Sequence, residues 1–142
     1  MKILVSACLL GTPCRYDGAS KRHPLIDALG EKYTLIPVCP EVLGGLPTPR
    51  TPSERVGNRV LMQDGRDVTE NYRLGAEAAL AAAQKEGCTI AVLKARSPSC
   101  GSGEIYDGSF SRTLTSRDGV TAELLLSHGI RVITEEGIPS LL

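Results

Sequence analysis

Five cysteines, at positions 8, 14, 39, 88 and 100, are the side chains of this sequence most able to do chemistry. An odd number suits no disulfide framework, and the apolar run after Lys2 breaks at Ser6, far short of a signal peptide or a membrane span. Such a chain is expected in the cytoplasm, where thiols stay reduced and clustered cysteines serve ligation or catalysis. Thiolates are soft donors suited to iron–sulfur clusters, zinc or copper(I), and a set of three leaves a position free for water, hydrosulfide or substrate.

Cys8, Cys39 and Cys100 form such a set because Cys8 and Cys39 follow apolar runs directly, Cys100 follows one after the intervening Lys94–Ser99, and each sits beside a turn-former: Gly11 shortly after Cys8, Pro40 after Cys39, Pro98 and Gly101 around Cys100. Proline and glycine fix turns and let backbone N–H groups approach a bound group. Cys14 shares a loop with Cys8 and is open to three readings: a fourth ligand, a sulfur acceptor or a packing residue. Cys88, at the start of a strand, reads as a small core hydrophobe. No CxxC array marks a zinc ribbon or a bacterial ferredoxin, and neither GxGxxG after the first strand nor GxxxxGK[ST] marks a nucleotide-binding loop.

The elements that must position these thiols follow from the pattern of apolar runs and breakers. Lys2–Ala7, Thr34–Val38, Thr89–Leu93 and Arg131–Thr134 read as short buried strands. Pro24 opens a short helix stopped at Gly30, Thr69 caps a long helix ending near Gly87, and Asp118 caps another closed by Gly129. Pro40–Gly57 is too rich in proline and glycine for regular structure, and Arg59–Met62 with Arg66–Val68 flank an Asp64–Gly65 hairpin turn. Ser97–Ser116 reads as a long loop that covers the site. Strands alternating with helices predict an α/β fold: one Rossmann-like or flavodoxin-like domain over residues 1–142, with a small parallel sheet, helices on both faces and an appended hairpin. In such sheets ligands bind outside the carboxyl ends of the strands, where all three cysteines fall.

Composition narrows the partners. Sixteen basic residues balance sixteen acidic ones, so no electrostatic footprint for a nucleic-acid polymer or an anionic membrane is present. Aromatics make up 4%, with no Trp and one Phe, too few for a platform that stacks successive bases. A small molecule is the expected partner, and the oligomeric state is open.

Ser6-Ala7-Cys8-Leu9-Leu10-Gly11, Cys14-Arg15-Tyr16-Asp17-Gly18, Cys39-Pro40-Glu41, Gly44-Gly45-Leu46 and Ser97-Pro98-Ser99-Cys100-Gly101 together resemble the thiouracil desulfurases, formerly a domain family without known function. The resemblance continues through Ile105-Tyr106-Asp107-Gly108-Ser109-Phe110 and Gly119-Val120-Thr121-Ala122, spanning nearly the whole chain. It implies a [4Fe–4S] cluster on Cys8, Cys39 and Cys100, whose remaining iron takes the sulfur of a thiolated pyrimidine without net redox change, giving the oxo base and hydrosulfide. It also implies that Glu41 and Ser97 stand near the substrate.

The chemistry of those residue types agrees. Water attack on a thiocarbonyl carbon and C–S cleavage need proton transfers, and Glu41, two residues beyond Cys39, is a carboxylate suited to them. Ser97 can hydrogen-bond the substrate or serve as a turn residue before Pro98. Arg15, Asp17, Arg50, Lys94 and Arg96 are charged residues without an assigned role, and His23 and His128 read as structural. The competing reading is a non-catalytic metal-binding or electron-transfer module built on the same cysteines.

Overall fold

In the computed structural model, which describes residues 1–142, the chain opens with strand β1 (Lys2–Ser6) and a 3-10 turn over Ala7–Leu10. Helix α1 (Ile26–Lys32), strand β2 (Thr34–Val38), the one-turn helix α2 (Pro40–Leu43) and the hairpin strands β3 (Ser53–Val56) and β4 (Arg59–Met62) follow. The second half runs through helix α3 (Thr69–Glu86), strand β5 (Ile90–Leu93), the two-residue strands β6 (Ile105–Tyr106) and β7 (Leu114–Thr115), helix α4 (Val120–Ser127) and strand β8 (Arg131–Thr134). No helix is long and apolar enough to cross a membrane.

Four strands form a parallel sheet in the order β2-β1-β5-β8, while β3-β4 and β6-β7 make two small antiparallel pairs. The expected α/β architecture is present, with helices on both faces. Alternate residues of the sheet point to opposite sides. Ile3, Val5 and Val92 pack against Ile26 and Leu29 of α1 and against Ile138 and Leu141 of the C-terminal 3-10 segment. Leu4, Ala91 and Leu93 pack against Ala83 of α3 and against Ala122 and Leu125 of α4. Each fully buried aliphatic side chain contributes about 1.5–3 kcal/mol relative to exposure. Cys88 joins the second of these clusters, as a small apolar residue would.

The structure corrects several local expectations. Pro40–Gly57 is not irregular throughout: proline is favourable in the first turn of a helix, where its missing N–H has no partner to lose, so Pro40 opens α2. The segment's far end supplies β3, which pairs with β4 on the edge opposite Arg66–Val68. β3 and β4 turn at Gly57–Asn58, and the expected hairpin about Asp64–Gly65 forms as well, with Leu61 and Asp67 bridged antiparallel, Met62 N–H donating to Arg66 O (2.8 Å) and Val68 N–H to Val60 O (2.9 Å). Gly30 lies inside α1 rather than ending it; the helix stops at Tyr33, which is extended and leads into β2. Thr69 does not cap α3, because its hydroxyl accepts the Val60 N–H, and Asp67 receives the Thr69 N–H instead (both 2.9 Å). Asp118 likewise serves the Gly103 N–H (2.8 Å) rather than the start of α4. The loop Ser97–Ser116 contains the β6–β7 ladder and forms a small flap.

Two close backbone approaches set the loops that follow β2 and β5. A side chain at Gly75 of α3 would put its Cβ 1.9 Å from the Pro40 carbonyl oxygen, so α2 lies directly on α3. At the start of α4, a Cβ on Gly119 would fall 2.5 Å from the Ser99 carbonyl. There Val120 N–H donates to Pro98 O (2.9 Å) and Thr121 N–H to Ser99 O (2.8 Å), while the buried Ser99 and Thr121 hydroxyls share a 2.7 Å hydrogen bond.

Gly75→Ala tests the first contact. Alanine gains about 1 kcal/mol of helix propensity, but overlap with a fixed backbone carbonyl costs at the upper end of the overpacking range, about 3 kcal/mol. A net loss of about 2 kcal/mol is expected in urea denaturation. A variant as stable as the parent would show that α2 shifts freely on α3.

Candidate functional site

The strand order places the crossing point between β1 and β5, whose following connections run to opposite sides. The carboxyl ends of β1, β2 and β5 open there onto a cavity of about 750 Å³. Cys8, Cys39, Cys100, Glu41 and Ser97 all line it, so the five residues singled out in the sequence meet in one place. Cys14 lines it too. Cys88, His23 and His128 do not; His23 Nδ1 accepts the Leu25 N–H (3.1 Å) at the start of α1, and His128 Nδ1 lies 3.0 Å from Leu124 O at the end of α4.

Each thiol has its own local support. Cys8 sits in the 3-10 turn directly after β1, where its carbonyl accepts the N–H groups of Gly11 (3.2 Å) and Lys21 (3.0 Å). Cys39 is the extended residue before α2. Cys100 is held by Ser97, whose Oγ accepts the backbone N–H groups of Ser99 and Cys100, both at 3.1 Å. Ser97 is thus a turn residue, and because its oxygen is accepting, its own hydrogen remains available to the cavity.

Glu41 is held from behind. Its Oε2 accepts from Arg50 Nη2 at 2.9 Å and its Oε1 accepts from the Tyr72 hydroxyl, while its side chain keeps 18% exposure on the cavity side. Arg50 is 2% exposed and also donates to Cys14 O (3.0 Å), Pro47 O (3.0 Å) and Thr48 Oγ1 (3.1 Å). Burial, with the Glu41 charge and hydrogen bond next, pushes the Tyr72 phenol far above its ordinary range, so it acts as a neutral donor. Arg50 has no role assignable from sequence and Tyr72 is one position of the expected long helix, because the pairing with Glu41 joins segments distant in sequence.

The thiols influence one another. Burial and then the neighbouring Cys39 push Cys8 up to about 11, against the lowering pull of Lys94 and Arg15. Burial raises Cys100 strongly, with Glu41, Cys8 and Cys39 adding to it and the Ser6 hydroxyl opposing. Cys14 is pushed up to about 12 by burial and by Cys39, and the Cys39 thiol lies 3.8 Å from the Cys14 carbonyl oxygen. Lys94 pairs with Glu135 (2.7 Å), and Arg96 with Glu136 (3.2 Å) and Glu104 (3.4 Å). Basic side chains outnumber acidic ones around the cavity, which favours an anionic thiolate-bound group.

This donor set fits an iron–sulfur cluster. Three soft thiols from three separate strand ends face one cavity, and no three His, Cys, Asp or Glu side chains converge as the ligands of a single ion would. A cubane takes each thiolate on a different iron, so it suits ligands distributed around a cavity.

Residues 3–137 match the family model described as 2-thiouracil desulfurase. The chain is 41% identical over 150 residues to a protein of Bacillus subtilis (strain 168) described as the uncharacterized protein YbbK, with 99% of both chains covered. Among solved structures it resembles the [4Fe-4S]-dependent thiouracil desulfidase TudS, at 50% identity and a TM-score of 0.93, over 99% of this chain and 94% of that one.

The raised thiols make metal uptake pH-dependent. Burial holds Cys8 and Cys100 neutral near pH 7 in the metal-free chain, so a soft metal that takes them as ligands must displace their protons and is opposed by acid. Apparent affinity is expected to rise by about one log unit per pH unit for each such thiol. Titration with ferrous iron between pH 7 and 8.5 measures it; a flat profile would mean that the thiols are already ionised.

Proposed function

The chain belongs to the 2-thiouracil desulfurase family, and from that premise we propose that it is an enzyme that carries a [4Fe–4S] cluster and converts a thiolated pyrimidine of the 2-thiouracil kind to the oxo base and hydrosulfide without net redox change. The observation that carries this reading is the meeting of three thiols, a carboxylate and a hydroxyl in one cavity at the carboxyl edge of the sheet. Its volume of about 750 Å³ is ordinary for a small-molecule site. The working unit is a single domain over residues 1–142, and a reducing cytoplasm would keep its five cysteines as thiols.

Cys8, Cys39 and Cys100 are the cluster ligands in this reading, and Cys14 and Cys88 are not. When bound, the cluster supplies a Lewis-acidic iron without a protein ligand, matched to the soft sulfur of a thiocarbonyl. The chain's own residues handle water and protons. Arg50 and Tyr72 occupy one acceptor site on each Glu41 oxygen, and a carboxylate has further lone pairs on both. Those aimed at the cavity can take a proton from water attacking the thiocarbonyl carbon and return it to the departing sulfur. The Ser97 hydrogen, left free by the two backbone bonds its oxygen accepts, orients the ring edge. An electron-transfer module needs neither a braced carboxylate nor an open volume beside its thiols, which favours the enzymatic reading.

Anaerobic purification, iron and sulfide analysis, and incubation with 2-thiouracil test this directly. About four irons and four sulfides per chain are expected, with uracil and sulfide as products. Ala at Cys8, Cys39 or Cys100 should each abolish cluster assembly, while Cys88→Ala and Cys14→Ala should retain iron. Glu41→Gln should keep the cluster and its visible spectrum while turnover falls by about 10²–10⁴-fold. Full turnover in cluster-loaded Glu41→Gln would remove Glu41 from the reaction.

A further inference from the structure

The chain has one phenylalanine, and it is not in the core. Phe110 stands half-buried at the tip of the flap between β6 and β7 and lines the same cavity as the thiols. Its backbone is left-handed, with φ of 55°. Bulky side chains adopt that conformation only where their surroundings hold them in it, and such positions concentrate at ligand sites.

The surroundings here are specific. Glu54 of β3, 9% exposed, accepts the N–H groups of Gly108 (2.9 Å) and Phe110 (3.1 Å) on a single oxygen, Oε1. The flap tip packs so closely on the hairpin that a Cβ on Gly108 would meet Val56 Cγ2 at 2.6 Å. The hairpin is in turn fixed to the start of α4 by Arg55, which donates to Asp118 O and Glu123 Oε2, both at 2.8 Å. A buried carboxylate and a strained backbone therefore present a flat apolar ring to a cavity whose sheet side offers thiols, a carboxylate and a hydroxyl.

We propose that Phe110 is the stacking surface for the substrate ring and thereby a determinant of specificity for planar heteroaromatic thiocarbonyl compounds. The inference rests on the functional reading above. A thiopyrimidine has an edge carrying sulfur and N–H groups and two π-faces; the edge matches the polar sheet side, and a face requires a flat apolar partner. Few aromatics exclude a platform for a polymer, but a single base needs only one ring.

The test compares cluster-loaded parent, F110L and F110Y on 2-thiouracil and on 5,6-dihydro-2-thiouracil, which keeps the thioureide edge and lacks the planar aromatic ring. F110L should raise KM for 2-thiouracil by about tenfold or more, within the range of single base–aromatic stacks, with iron content and visible spectrum unchanged. For the dihydro compound the change should be about twofold or less, since little stacking is there to lose. F110Y should restore the parent's values. Equal effects on both compounds, or a fall in kcat at constant KM, would overturn the proposal. Calorimetric binding of 2-thiouracil separates it from the functional reading. A parent that binds more tightly than F110L yet releases no sulfide refutes the reaction and keeps the stack. Equal binding by both, or binding by neither, refutes the stack.

Discussion

Burial of the Arg50 guanidinium is the constraint on which the site depends. A cation at 2% exposure carries a desolvation cost of several kcal/mol, offset only if its donors are taken up with good geometry. All four Nη hydrogens have acceptors: Pro47 O and Thr48 Oγ1 on one nitrogen, Cys14 O and Glu41 Oε2 on the other. Only Nε–H lacks a partner. The Arg50 backbone N–H adds a 2.6 Å bond to Tyr16 O. One side chain thereby ties the loop after β1, the helix after β2 and its own proline-rich segment into a single wall. A lysine could not replace it, because one ammonium cannot span a carboxylate and three further oxygens in a planar fork.

The wall has to meet the loop after β5, and here glycine decides the geometry. Pro40 can carry Cys39 and Glu41 onto α3 only because Gly75 has no side chain, and Cys100 can lie under α4 only because Gly119 has none. The same helices fill one face of the sheet with Ala83, Ala122 and Leu125. Thiol placement and core packing are therefore coupled. A change that lifts α2 or α4 by an ångström also moves a thiol, which explains why so small a fold can keep three thiols in place on loops.

The sheet was legible because each strand is a short apolar run between breakers: β2 and β8 have the bounds expected, and β1 and β5 differ by one residue. The cysteine set was legible because parallel strands deliver their carboxyl ends to one edge. What the sequence hid were effects of partner choice. Leu61 and its neighbours pair with Arg66–Val68 on one edge, as the Asp64–Gly65 signal implies, and also with β3 on the other through the Gly57–Asn58 turn, a second partner masked by the proline- and glycine-rich composition of 40–57. Asp67 and Thr69 lie two residues apart and either can serve the start of α3; the Thr69 hydroxyl is drawn away by Val60 N–H. Arg50, Tyr72 and Glu54 look like surface or core residues of ordinary kinds, and only contacts across 9, 31 and 54 or more positions reveal their service to the site.

Cys14 serves the site through its backbone. Its carbonyl, rather than its thiol, is the used group, receiving Arg50 Nη2 and the Cys39 thiol. Its own thiol lies in the buried cluster with Cys8, Leu9 and Ile26 and is pushed up to about 12 by that burial and by Cys39, as burial also raises Cys8 and Cys100. In the proposed reading Cys14 stays out of the cluster, and the coordination position left without a protein donor is what separates a site that can act on a thiocarbonyl from one that only stores or passes electrons.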